Sequence, residues 1–170
     1  MIVYLSLGSN LGDRYGFLRK ALELLNETPL VEVLRVSRPY ETEPVGVKEQ
    51  PDFLNAAAEL ECRIPARSLT ERIKEIERLI GRSSSERWGP REIDIDIVYF
   101  GSLVLDDGTL HVPHRERAKR RFVLQPIADL APSFVDPVLG LSVQDLLSRC
   151  PDPSRVMPST HPLPLFVENR

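Results

Sequence analysis

The 170-residue chain is 42% hydrophobic and 28% charged, with a formal charge of −3; this is the make-up of one globular domain, with no global attraction for nucleic acid or an anionic membrane. No apolar run reaches the ~18 residues of a membrane-crossing helix. The two cysteines, Cys62 and Cys150, stand in neither C-x-x-C nor zinc-ligand spacing, so neither a disulfide framework nor a structural zinc is expected, and a reducing cytoplasm is.

The opening residues Met1-Ile2-Val3-Tyr4-Leu5 lack the basic stretch and cleavage site of a signal peptide. They begin an alternating, β-rich run over 2–7 that meets the turn signal Gly8-Ser9-Asn10. Residues 13–26 place Phe17, Leu18, Ala21, Leu22 and Leu25 at helical spacing, with Asp13 as N-cap. A strand-like run through Val31, Val33 and Val36 is ended by Pro39, and residues 39–53 show no clear period. Residues 54–62 read as a strand. Pro65 can open the next helix, whose stripe is Leu69, Ile73, Ile76 and Ile80, and Gly81 can close it. After a polar, basic stretch over 82–91 comes the clearest strand, 93–100. A hairpin is expected around Asp106-Asp107-Gly108, with short helical pieces at 115–121 and 142–149. The prolines of 126–164 lie outside the periodic segments.

This order, β-α-β-β-α-β, predicts an α+β fold with a ferredoxin-like core: an antiparallel sheet with both helices on one face, then the added hairpin and short helices. Residues 1–150 are expected as a single domain and 151–170 as an extended, proline-rich tail. The connections 39–53 and 82–92 exceed the usual ~4–6 residues, which points to function.

Arg91-Glu92-Ile93-Asp94-Ile95-Asp96-Ile97 carries the strongest chemical signal. In a strand the isoleucines face one side and Asp94 and Asp96 the other, with residues two apart separated by ~6.5 Å. Two carboxylates can then share a cation, and oxygen-only donors suit Mg²⁺ with phosphate and water completing its shell. Aspartate is otherwise depleted in strands, and like charges on one face repel. With four lysines among 22 basic residues, 18 are arginine. Arg82, Arg87 and Arg91 precede the aspartates; His114, Arg115, Arg117, Lys119, Arg120 and Arg121 follow. Carboxylates for a metal plus planar cationic forks suit a polyphosphate. A solvated basic face is the bland alternative for Arg115 and Arg117. Phe53, Trp88 and Phe122 could stack on a planar ligand, or simply pack in the core. No Walker A loop and no G-x-S-x-G motif is present.

Several separated segments occur in a specific order: Leu5-Ser6-Leu7-Gly8-Ser9-Asn10, Tyr40-Glu41-Thr42-Glu43-Pro44, Gln50-Pro51-Asp52-Phe53-Leu54-Asn55, and Arg87-Trp88-Gly89-Pro90-Arg91 leading into Asp94-Ile95-Asp96. Val112-Pro113-His114 and Arg120-Arg121-Phe122 follow. Together they resemble the 6-hydroxymethyl-7,8-dihydropterin pyrophosphokinase family, from Leu5 to about Pro132. The resemblance implies transfer of pyrophosphate from ATP to the pterin hydroxymethyl group, leaving AMP, with two Mg²⁺ ions and a ferredoxin-like α+β fold. It also implies a monomer acting on small molecules in folate synthesis, with no nucleic-acid or membrane partner. On it, Asp94 and Asp96 hold the metal ions and join Arg82 and Arg91 as the catalytic set. Glu77, Trp88, Arg91, Ile97, His114 and Arg120 belong to the nucleotide side. Gly8, Thr42, Val45, Phe53, Asn55, Trp88 and Phe122 belong to the pterin side. The family pattern differs at Arg115, where an aromatic is common, and in the shorter loop over 82–87.

Two rivals from other classes share parts of this pattern. An RNA-binding sheet would need exposed aromatics where Asp94 and Asp96 stand. A two-metal phosphohydrolase would release phosphate or pyrophosphate without any pterin acceptor.

Overall fold

An antiparallel six-stranded sheet organises the protein, in a computed structural model that describes residues 1–82 and 89–163. In chain order the elements are β1 (Ile2–Ser9), α1 (Arg14–Asn26), β2 (Val31–Val36), β3 (Tyr40–Thr42), β4 (Phe53–Cys62), α2 (Ala66–Ile80) and β5 (Asp94–Phe100). The hairpin strands β6 (Leu105–Asp106) and β7 (His111–Val112), a 3₁₀ turn (Arg117–Lys119), α3 (Arg121–Leu130), α4 (Val143–Ser148) and β8 (Val156–Pro158) follow.

The sheet runs β5-β1-β4, and the long β4 then pairs with two strands along one edge. β2 lies against its second half and β3 against its start, and β8 adds outside β3. A strand as short as β3 is hard to see in a sequence, which is why residues 39–53 show no period.

The helices of the first face follow their local signals. Asp13 accepts the Gly16 amide at 3.0 Å, and Leu18, Ala21, Leu22 and Leu25 turn inward. Pro65 stands just before α2, and Gly81 ends it with φ 104°, a left-handed conformation glycine adopts without a Cβ clash. The stripe of Leu69, Ile73 and Ile76 packs with α1 against Leu5 and Leu7 of β1, Ala58 and Leu60 of β4, and Ile95 and Ile97 of β5.

The opposite face is also covered, and here the structure departs from expectation. The helical piece expected at 115–121 is only the 3₁₀ turn; the helix proper is α3, ten residues with Pro126 inside it. Proline lacks the amide that would bond to the carbonyl of residue 122. Packing of Val123, Leu124 and Ile127 on Tyr4, Ala57 and Tyr99, joined by α4 through Val143, Leu146 and Leu147, offsets that loss. The segment after Cys150 packs on the domain through 163: β8 extends the sheet, Leu163 is buried in the first-face core, and Tyr15 donates to the Pro162 carbonyl at 2.7 Å.

Candidate active site

α3 leaves one end of the second face open, and the register there sets a rung across four strands. Asp94 of β5 lies opposite Gly8 of β1, Gly8 opposite Asn55 of β4, and Asn55 opposite Tyr40 of β3. One rung inward Asp96 lies opposite Ser6. Strand parity puts Ile95 and Ile97 in the core, so the two carboxylates are held by backbone that cannot rotate without exposing isoleucine.

Two cavities meet at these aspartates. The first, about 570 Å³ including space continuous with solvent, has Phe53, Phe122 and Val45 as apolar walls and Asn55 and Thr42 as polar ones. Asn55 is buried and its amide donates to Thr42 Oγ1 at 2.6 Å. Gly8 is required here by close approach: a Cβ on it would lie 2.3 Å from Asn55 Oδ1. The second cavity is an open cleft of about 1240 Å³, counted the same way, along the free edge of β5. Glu77, Arg82, Ile97, His114 and Arg115 line it, and Asp94 and Asp96 belong to both cavities.

Charge is concentrated at the junction. Arg82 Nη1 donates to Glu77 Oε2 at 2.5 Å and to Asp94 Oδ1 at 3.1 Å, and Arg91 Nη1 donates to Asp94 Oδ2 at 3.1 Å. Glu77 is buried on α2 and also accepts the Ile95 amide at 3.1 Å, so one carboxylate ties helix, arginine and strand edge together. Ile97 shares parity with Ile95, so its backbone also faces the cleft. At Asp96, withdrawal from water, then the charges of Asp94 and Glu77, raise the pKa to about 7 against the opposing pull of Arg120 and Arg82. Its side chain keeps 42% of its surface open, with His114 Nε2 3.9 Å from Oδ2. Burial first, then Arg120, lowers the His114 pKa, which favours the neutral ring. His114 Nδ1 accepts the Glu116 amide at 3.1 Å, which leaves the proton on Nε2, facing Asp96.

The described residues allotted to the metal, nucleotide and pterin sides are brought together. Gly8, Thr42, Val45, Phe53, Asn55, Arg91, Arg120 and Phe122 line the first cavity; Glu77, Arg82, Ile97 and His114 line the second; Asp94 and Asp96 join them. Trp88 lies outside the described residues, as does Arg87. Asn10 was missed as an organiser. Buried at the end of β1, it donates to Gln50 Oε1 at 2.9 Å and the Pro51 carbonyl at 3.0 Å, and accepts the Arg91 amide at 2.9 Å. One side chain thus ties together the two long connections that stood out in the sequence. The only local hint was an asparagine in a turn signal, because its partners are 40 and 81 residues away.

Among the described residues no group of three His, Cys, Asp or Glu side chains is placed to hold a metal ion. The protein's donors at the junction are two carboxylates, one of them short of compensating charge. That set fits Mg²⁺, which takes one or two carboxylates and keeps water and phosphate oxygens for the rest.

Comparison with known proteins adds four findings. Residues 4–132 match the family model described as 7,8-dihydro-6-hydroxymethylpterin-pyrophosphokinase (HPPK). The chain is 43% identical over 129 residues to the 2-amino-4-hydroxy-6-hydroxymethyldihydropteridine pyrophosphokinase of Bacillus subtilis, covering 76% of this chain and 77% of that protein. It is 39% identical over 150 residues to the folic acid synthesis protein fol1 of Schizosaccharomyces pombe, covering 88% of this chain but 20% of that one. Among solved structures, wild-type HPPK-DHPS of Plasmodium falciparum with pteroate superposes with a TM-score of 0.69 at 17% identity, covering 87% of this chain and 42% of that one. The chain therefore spans less than half of two of these three proteins, and the last likeness is one of fold.

Proposed function

Because the chain belongs to the 7,8-dihydro-6-hydroxymethylpterin-pyrophosphokinase family, we propose that it transfers the pyrophosphoryl group of ATP to the hydroxymethyl oxygen of 6-hydroxymethyl-7,8-dihydropterin, in folate synthesis. The observation that carries this reading is the meeting of two chemically unlike cavities at Asp94 and Asp96.

The first cavity takes the pterin. A flat heteroaromatic ring stacks between Phe53 and Phe122, and Asn55 supplies both an acceptor and a donor to its edge. The open cleft takes ATP, with the adenosine along Glu77 and the outward backbone of Ile97 and the phosphates at the junction. The alcohol oxygen attacks the β-phosphorus. The bond from that phosphorus to the oxygen it shares with the α-phosphorus breaks, AMP departs with that oxygen, and the alcohol proton is lost. Two Mg²⁺ ions at Asp94 and Asp96 supply charge neutralisation when bound. Arg82, Arg91 and Arg120 stabilise negative charge on the phosphate chain, and the Nε2–H of His114 faces the same point. No protein side chain is assigned as general base.

The strand order β5-β1-β4-β2, with α1 and α2 on one face, supports reading the core as ferredoxin-like. On this reading residues 1–150 form the pyrophosphokinase domain of a monomeric cytoplasmic enzyme. No helix among the described residues is long and apolar enough to cross a membrane.

The test is AMP formation from ATP, Mg²⁺ and the hydroxymethylpterin. AMP appearing only with the pterin present, in step with the pterin diphosphate, is expected. Phosphate or pyrophosphate release independent of the pterin would instead identify a phosphohydrolase.

A further inference from the structure

The segment after Cys150 lies beyond the residues that match the family model, yet its described part is bonded to both walls of the aromatic cavity. One wall is the start of α3, with Arg120 and Phe122. There Asp152 Oδ2 accepts the Arg121 amide at 3.0 Å, and Arg121 Nε donates to the Asp152 carbonyl at 3.1 Å. The other wall is the stretch 42–53. There the Arg155 amide donates to Glu43 Oε1 at 2.6 Å, and its guanidinium donates to Asp52 Oδ2, 3.1 Å away and next to Phe53. β8 then runs beside β3, with Val156 opposite Thr42.

The span between these anchors has little slack. Three Cα steps separate Asp152 from Arg155, at most ~11 Å. Asp152 Oδ1 also accepts the Ser154 amide at 2.9 Å, a turn that stiffens the span. Stacking on both faces of a planar ring needs the walls to stand at van der Waals separation, and a gap of ~0.5–1 Å forfeits a quarter to a half of that attraction.

Resting on the reading that this cavity takes the pterin, we infer that residues 152–155 are a brace that sets the spacing of the Phe53 and Phe122 walls. Asp152 and Arg155 are positioning residues for pterin affinity. Neither lines the cavity; they act through Arg121, Glu43 and Asp52.

The experiment is steady-state kinetics of the full chain with both substrates, for Asp152→Ala, Arg155→Ala, the double variant and Arg155→Lys. The double variant is expected to raise the pterin KM about tenfold, with each single change contributing a few-fold. The ATP KM and kcat should stay within about twofold, and Arg155→Lys should recover most of the Arg155→Ala loss. An unchanged pterin KM, or equal rises in both KM values, overturns the brace. Should the double variant melt below assay temperature, Arg155→Ala carries the test, since that side chain is 57% exposed. Phe122→Ala in the same assay separates the two readings. If it raises the pterin KM while the brace variants do not, only the brace fails; if it also has no effect, the allocation of the cavity fails.

Discussion

Two aspartates on the same side of the sheet behave in opposite ways. Asp136, behind α3 and α4, has no exposed surface, yet its pKa falls to about 2. Burial alone would raise it; the Arg117 guanidinium, the Leu139 and Val138 amides and the Tyr99 hydroxyl outweigh burial. Those bonds are 2.5 and 3.0 Å to Arg117, 2.9 Å to each amide and 2.7 Å to Tyr99. Asp96 is pushed up to about 7, first by withdrawal from water and then by the charges of Asp94 and Glu77. Burial raises both carboxylates; hydrogen-bond donors reverse its effect at Asp136, and neighbouring carboxylates add to it at Asp96. Asp136 has a donor for each lone pair and is finished as folded, whereas Asp96 stands beside two other carboxylates and, on the proposed function, would be completed by a cation from outside.

Removing each group breaks the comparison most directly. Asp136→Ala leaves the Arg117 charge buried and should destabilise the fold by ~3–5 kcal/mol in urea titration. Asp96→Ala should instead lower turnover by ~10²–10³. It should melt no lower than the parent, because the isoleucine face of β5 is untouched and repulsion is relieved. A folded Asp96→Ala enzyme with near-normal AMP formation would sink the metal role.

Gly8→Ala tests the rung beside Asp94. The added Cβ must displace the Asn55 amide, which is held on its other side by Thr42. A loss of about one hydrogen bond, tenfold in pterin KM, is expected with ATP affinity kept.

The pH dependence of stability sharpens the contrast through its sign. Asp136 has a folded pKa below its ordinary value, so its contribution is present above pH ~4 and lost as pH falls toward 2. Asp96 has a raised pKa, so its contribution is present below pH ~4 and lost as pH rises through 7. Melts of the metal-free protein should show Asp136→Asn flattening the acid limb and Asp96→Asn flattening the decline between pH 4 and 7. The smallest effect is Phe122→Ala, which should weaken pterin binding by ~0.5–1.5 kcal/mol beyond lost burial, measured by calorimetry with a non-hydrolysable ATP analogue present.

What the sequence determined by itself was whatever local period or chain-neighbour chemistry carries. The alternation of Ile93, Asp94, Ile95, Asp96 and Ile97 set both the strand and its two faces. Pro65 and Gly81 framed α2, and the separated motifs identified the family and most of the side chains that line the two cavities. Only the tertiary structure decided the rest. A proline within the stretch hid α3, whose stability comes from packing on the sheet rather than from its backbone bonds. Asn10 became the tie between two long connections, Asp136 acquired Arg117, and Asp152 and Arg155 reached the two segments that bring Phe122 and Phe53 to one cavity. Each of these depends on a partner 19 to 112 residues away. Single residues of that kind carry no periodicity, so their meaning is set only when the chain closes and brings the partner within hydrogen-bond distance.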